Sequence, residues 1–267
     1  MANPEQAIDA HAHVFSATAP AVAGARYRPR YGADVAEWRS LWQAAGITHG
    51  VVVQPSFFGT DNREMLDTVA ADPRRLRGVA VVTPLVDEAI IRRFDAQGVR
   101  GIRLNLRGLD DYSPYASAAW RDLYRRVDDA GWHVEVFVDV GRLPDIEPAF
   151  EGTDVSLVFD HFGSPGAQTG VVERTFASVG RLARVREVYV KLSGSYRLSG
   201  GEPAALAARW LDAVGPSGIV WGSDWPWTSH ESGRDFARTR ADLDDWVDAR
   251  VARAALWDNA ARLYAFT

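Results

Sequence analysis

The chain has 267 residues, 47% hydrophobic and 24% charged, with a formal net charge of -5. That balance describes a globular protein able to bury a sizeable core, and its scattered basic residues give no footprint for nucleic acid. With no cysteine, disulfides, thiolate metal ligands and cysteine nucleophiles are all excluded.

The start, Met1 to Gln6, lacks the basic residues and apolar stretch of a signal peptide. No later apolar run approaches the roughly 20 residues of a membrane span. A cytoplasmic protein without membrane contact is expected. Short strand-type runs then alternate with segments whose apolar residues recur at three and four spacing. Strands are predicted at 7–13, 50–54, 78–82, 99–105, 133–139, 155–160, 187–193 and 218–224. Helices are predicted between them at 34–45, 63–71, 87–97, 116–130, 143–150, 170–184 and 203–214, with a last helical segment at 232–264. Gly46, Gly98, Gly131 and Gly215 stand where a left-handed helix cap prefers glycine. This alternation predicts a single (β/α)8 TIM barrel spanning residues 1–267. No Gly-x-Gly-x-x-Gly follows an early strand, as a doubly wound nucleotide fold would require, and no linker divides the chain.

Active sites of such barrels lie at the C-terminal ends of the strands. There the polar residues gather. The first strand ends in His11 and His13, which alternation places on one face. The second runs into Gln54-Pro55-Ser56, the fourth into Arg103, Asn105 and Arg107, and the sixth into Asp160-His161. The seventh delivers Lys191 and Ser193 with Arg197 soon after, and the eighth delivers Asp224.

Six stretches carry a resemblance: Asp9-Ala10-His11-Ala12-His13-Val14-Phe15, Gln54 through Gly59-Thr60-Asp61-Asn62, Gly98 through Arg103-Leu104-Asn105, Asp160-His161-Phe162-Gly163, Lys191-Leu192-Ser193-Gly194 with Tyr196-Arg197-Leu198-Ser199, and Trp221-Gly222-Ser223-Asp224-Trp225-Pro226. Through them the chain resembles the amidohydrolase superfamily, and within it the branch of 2-pyrone-4,6-dicarboxylate lactonase. The resemblance implies a (β/α)8 hydrolase acting on a lactone. Many amidohydrolases hold two metals through a fourth-strand lysine or glutamate and histidines on strands five and six. Here Arg103 ends the fourth strand and the fifth has only His133, at its start, so a binuclear centre is not expected. His133 reads as a partly exposed residue after Gly131-Trp132.

The reading that follows has Asp224 as general base on water, with His11, His13 and His161 polarising the ester carbonyl. Arg103, Arg107 and Arg197 bind substrate carboxylate, and Ser56 and Thr60 add hydrogen bonds. The expected partner is a small anionic lactone; the sequence leaves oligomeric state open. Because the branch contains a lactonase that works without metal, no cofactor is expected. The alternative is one divalent ion, zinc by its donors, on His11, His13 and Asp224, with His161 as a further ligand. Ser164 stands where the branch places arginine, and Trp227 where it often has histidine. Fewer cations and one more aromatic ring suggest a substrate with less charge or a larger apolar face, so the expected substrate is a carboxylated lactone such as 2-pyrone-4,6-dicarboxylate or a related compound. The rival readings are a zinc sugar-lactone hydrolase, a metal-dependent decarboxylase of the superfamily, and a non-catalytic binder of an anionic metabolite.

Overall fold

The computed structural model describes residues 6–198 and 200–267; Ser199 lies outside them, as do Met1 to Glu5. Eight parallel strands follow one another round a barrel in chain order. They are β1 Ile8–Ala12, β2 His49–Val53, β3 Leu76–Ala80, β4 Val99–Asn105, β5 His133–Phe137, β6 Ser156–Phe159, β7 Val188–Leu192 and β8 Ile219–Trp221. The outer helices are α1 Val35–Ala45, α2 Arg63–Ala71, α3 Glu88–Ala96, α4 Ala118–Asp129, α5 Leu143–Ile146, α6 Thr169–Leu182 and α7 Pro203–Val214. After β8 come α8 Phe236–Trp246, α9 Ala249–Arg253 and α10 Asn259–Tyr264. Among the described residues no helix is long and apolar enough to cross a membrane.

Alternation divides the core in two. Outward residues such as Val52, Ile102, Val134, Val136 and Leu192 pack under the helices. Inward ones, Ile8, Val51, Val53, Val79, Val158, Tyr189 and Val220, meet Ala260, Tyr264 and Phe266 of the C-terminal segment, which stoppers the lower end. Higher in the barrel the inward register turns polar, at Arg103, Glu135, Asp160 and Lys191, all buried.

β1 breaks this rule. Strict alternation would put Asp9 with His11 and His13, yet the register shifts between Asp9 and Ala12. Asp9 therefore faces the helices and accepts from Trp38 Nε1 of α1 at 3.0 Å. It also accepts from Ser223 N and Oγ at 2.8 and 2.6 Å, stitching β1 to the segment after β8. Closure of the barrel depends on that seam. Asp224 N donates to His11 O at 2.8 Å and His13 N to Trp225 O at 2.8 Å. Gly222 is required there, because a Cβ would stand 2.5 Å from His11 Cβ.

Elsewhere the structure shortens the expected elements. The eighth strand ends at Trp221, since Asp224 turns to a left-handed φ of 58°. The helix expected at 143–150 is α5 followed by a 3-10 turn at Glu147–Phe150, tightened at Pro148. The segment 232–264 breaks at Val247, which is extended (φ -141°), before Asp248 caps α9.

Candidate active site

The strand ends enclose a cavity of about 270 Å³ lined by His13, Arg26, Tyr27, Ser56, Phe57, Arg103, Arg107, Phe137, His161, Arg197, Asp224 and His230, among others. A larger hollow, about 1820 Å³, lies at the opposite end of β1 and β2 between α1 and α9. None of the strand-end histidines or Asp224 reaches it.

Above the barrel three imidazoles surround one carboxylate. Asp224 Oδ1 stands 3.8 Å from both His11 Nε2 and His13 Nε2, and Oδ2 stands 3.9 Å from His161 Nε2. Oδ2 is already engaged, accepting from Tyr196 Oη and from Arg197 Nε, each at 2.6 Å. Oδ1 has no hydrogen-bond partner. Burial opposes ionisation of Asp224, but the Arg197 guanidinium outweighs it and holds the carboxyl far below its usual range. Gly194 makes this crowding possible: a Cβ would lie 2.9 Å from His161 Nδ1 and 3.2 Å from Asp224 Oδ2. His161 has a left-handed φ of 51°, as do Phe162 and Ser164 at 56° and 47°. Such backbone costs of order 1–3 kcal/mol per residue and gathers where geometry serves chemistry.

The hydrogen bonds assign the tautomer of His13. Val53 O can only accept, so the 2.8 Å contact to His13 Nδ1 puts a proton there and leaves the neutral ring's Nε2 as a lone pair. Lys191 Nζ can only donate, and it lies 3.1 Å from His11 Nδ1. Asp160 Oδ1, which can only accept, lies 3.2 Å from the same nitrogen, so the Nδ1 contacts fix no tautomer for His11, whose Nε2 stands 3.4 Å from His13 Nε2. Burial lowers His13 and His161 to about 4 and holds His11 well below its usual value, so all three are neutral at pH 7. Neutral His13 thus presents an acceptor at Nε2, while His11 is fully buried and lies outside the cavity lining. His161 Nδ1 shares a 2.9 Å bond with Ser193 Oγ, and either can donate.

Below His11 lies a buried quartet of charges. Arg103 Nε and Nη2 bind Asp160 Oδ2 at 2.9 and 2.8 Å, and Arg103 Nε reaches Glu135 Oε1 at 3.3 Å. Lys191 Nζ binds Glu135 Oε2 and stands 3.6 Å from Asp160 Oδ1. Two cations thereby balance two carboxylates. Burial, with Asp160 next to it, pushes Glu135 upward against the pull of Lys191 and Arg103, while Arg103 and its neighbours hold Asp160 well below the usual range despite burial. Glu135 and Lys191 carried no assignment from sequence, although their inward position follows from the period of β5 and β7.

Several expectations need correction. Arg103, 4% exposed, gives Nε and Nη2 to Asp160 and so enters the cavity already neutralised. Arg197 is likewise committed to Asp224, with Nη2 on Thr228 O at 3.2 Å. Thr60 is exposed and lies outside the cavity lining, while Ser56 lies within it. His133 is buried, 1% exposed, in the barrel interior, its ring set edge-on to Tyr264 at 5.1 Å. Gly101 makes room for it, since a Cβ there would stand 2.5 Å from His133 Nε2. Trp225 stacks on Trp38 and Trp227 donates to Ser223 O, so both serve packing. Tyr196 and Arg26 were missed as site residues. Tyr196 stands beside Arg197 in the segment after β7, and Arg26 lies in the 13–34 loop, where no spacing rule applies.

Two donor groups invite a metal. His11 Nε2, His13 Nε2 and Asp224 Oδ1 are 3.4 to 3.8 Å apart, close to the ligand separations of one tetrahedral divalent ion. A second group, His11, Glu135 and Asp160, is equally compact. Its carboxylates already hold Arg103 and Lys191, so fixed cations stand where a second metal would sit.

The whole described barrel, residues 8–266, matches the amidohydrolase family model. The chain belongs to the amidohydrolase family. A 2-pyrone-4,6-dicarboxylate hydrolase of Comamonas testosteroni is 30% identical, the alignment covering 98% of this amidohydrolase and 90% of that protein. Among solved structures, a Pseudomonas putida protein assigned as a 2-pyrone-4,6-dicarboxylic acid hydrolase superposes with a TM-score of 0.88 at 36% identity, over 98% of both chains. An Acinetobacter baumannii protein assigned the same way, with citric acid bound, gives 0.88 at 30% identity over 97% of this chain and 99% of that one.

Proposed function

We propose that this amidohydrolase is a lactonase that opens the ring of a carboxylated lactone, of which 2-pyrone-4,6-dicarboxylate is the model. The observation that carries this reading is the unpartnered Asp224 Oδ1, facing the imidazoles of His11 and His13 beneath a cavity lined by four arginines. Water held at Oδ1 gives its proton to that oxygen as it attacks the ring carbonyl. The carbonyl oxygen gathers charge beside His161, whose Nε2 is a donor when Ser193 donates to its Nδ1, and beside His11 when the proton of that ring is on Nε2 and turned from His13. His13, with its Nε2 lone pair, accepts from the second hydrogen of the water and fixes its direction.

Arg197 and Tyr196 keep Asp224 ionised at any working pH, and for the same reason weaken it as a base. A weak base needs an electrophile made more reactive. The two imidazole donors supply that polarisation in a site shielded from bulk water.

Opening a lactone adds one water and yields a hydroxy acid, or its keto form where the leaving oxygen departs as an enol. We propose that no metal takes part. Arg197, 2.6 Å from Asp224, sets a fixed positive charge against the same carboxylate that a cation would need. Were a divalent ion held by His11, His13 and Asp224, it would polarise the carbonyl and acidify the water. The test is lactone turnover by metal-analysed protein with and without chelator. Activity that survives chelation in protein lacking stoichiometric metal supports the reading. Chelator-sensitive turnover with one zinc per chain would overturn the metal-free part, and inactivity on every lactone would overturn the whole.

A further inference from the structure

Four arginines line the cavity, but they are not equally available. Arg103 is bound to Asp160 and Arg197 to Asp224. Each pair is close to neutral and buried. The other two stand at the rim, where both are exposed. Arg107 Nε is 3.8 Å from Asp139 Oδ1, a loose contact, and Asp139 Oδ2 is engaged by Gly108 N at 2.5 Å. Arg26 has no carboxylate within 4.0 Å among the described residues; its Nη2 donates only to Asn105 Oδ1 at 3.1 Å. Asn105 Nδ2, buried on the same amide, has no acceptor at all. The backbone makes way for Arg26: at Gly108, φ 81°, a Cβ would stand 3.1 Å from Arg26 Cδ. Desolvation, then repulsion by Arg107, lowers the Arg26 pKa, as expected of two like charges sharing one space.

Counting charges round the cavity, Arg103 cancels Asp160, Arg197 cancels Asp224 and Arg107 is opposed by Asp139. Arg26 is the surplus. Phe137 lies beneath the Arg107 guanidinium at 5.6 Å and also lines the cavity, as do Phe57 and Tyr27. A flat ring fits between such walls. We infer that Arg26, held by Asn105 Oδ1, and Arg107 form a single anion subsite, so that the substrate is a planar lactone bearing one carboxylate, directed to the rim and away from Asp224. This rests on the lactonase reading and narrows it: the subsite holds one charge where the pyrone dicarboxylate carries two.

The experiment compares 2-pyrone-6-carboxylate, its neutral methyl ester and 2-pyrone-4,6-dicarboxylate as substrates of the wild type, Arg26→Met and Arg26→Lys. The wild type should favour the monocarboxylate over the dicarboxylate by tenfold or more in kcat/KM. Arg26→Met should raise KM for the monocarboxylate about tenfold with kcat within twofold, leave the methyl ester unchanged, and be partly rescued in Arg26→Lys. An unchanged KM for the monocarboxylate would overturn the subsite, as would an equal loss on the ester or a wild-type preference for the dicarboxylate. Should the wild type open none of the three rings, the lactonase reading falls by itself, and the subsite is then judged by calorimetry with benzoate. Benzoate binding weakened tenfold by Arg26→Met upholds it; no binding, or binding that the variant leaves unaltered, refutes it.

Discussion

Arg103 and Arg107 leave the same stretch of β4 and both place a guanidinium against Phe137, at 5.2 and 5.6 Å. Arg103 is buried and clamped between Asp160 and Glu135, whereas Arg107 is exposed and loosely opposed by Asp139. One belongs to the floor of the site and the other to its rim. The difference shows that a positive residue at a strand end is available to a ligand only if no protein carboxylate has taken it first. Desolvating four charges under His11 costs several kcal/mol per ion before their mutual attraction offsets it. In return Lys191 Nζ and Asp160 Oδ1 hold His11 Nδ1 at 3.1 and 3.2 Å and so fix the orientation of the ring.

The largest effect should come from removing the carboxylate that floor and rim both serve. Asp224→Asn keeps the size of the side chain but loses the proton acceptor and the charge that Arg197 faces. A fall in kcat of about 100 to 10,000 fold is expected, measured by lactone opening, with folding checked by circular dichroism. Loss of less than tenfold would remove Asp224 as the base.

Floor and rim separate next in stability. Asp160→Asn leaves Arg103 and Lys191 with only Glu135 between them in a buried space, and breaking such a pair costs about 3–5 kcal/mol. Arg107→Met, at an exposed contact, should stay within about 0.5 kcal/mol of wild type. Denaturant unfolding measures both, and equal losses would erase the distinction between the two regions.

The imidazoles provide a pH test. Burial lowers His161 from the ordinary 6.5 to about 4, so the unfolded chain takes up its proton first on acidification. The stability it contributes is complete above pH 6.5 and is lost as pH falls towards 4. Asp9 works in the opposite sense, because burial raises it to about 6 and its uptake of a proton favours the folded state. Comparing wild type with His161→Gln isolates the one imidazole. The stability of the wild type relative to the variant should drop by roughly 3 kcal/mol between pH 7 and pH 4. In the folded enzyme the same shift keeps His13 and His161 neutral, so the acid limb of kcat/KM should fall near pH 4. A limb near 6.5 would show that the imidazoles titrate as if exposed.

Much of this was legible beforehand. Apolar runs bounded by capping glycines such as Gly46, φ 68°, disclosed the barrel, and its geometry gathered His11, His13, His161, Arg197 and Asp224 at one end. What stayed hidden was pairing. Nothing in the spacing of Arg103 tells that Asp160, on another strand, neutralises it, and nothing in the 13–34 loop marks Arg26. The slip in β1 that turns Asp9 outward was equally invisible, because alternation is a rule about regular strands.

His133 gives the smallest expected effect and the strictest check on the lower barrel. It lies in the inward register of β5, and neither ring nitrogen has a hydrogen-bond partner. Burial drives its pKa down to about 3, so the ring is neutral and behaves as an aromatic plug against Tyr264. His133→Phe keeps that edge-on packing and removes two desolvated polar atoms, a gain of about 1–3 kcal/mol, against an overpacking penalty of similar size for the larger ring. The two terms should cancel to within about 1 kcal/mol in denaturant unfolding, with kcat unchanged, since the Glu135 and Lys191 pair stands between this ring and His11. A loss above about 2 kcal/mol would mean that the imidazole nitrogens reach Glu135 Oε1, Asp160 Oδ1 or Tyr264 Oη, each without a hydrogen-bond partner among the described residues, through buried water. The polar column would then extend from the catalytic imidazole down to the stopper of the barrel.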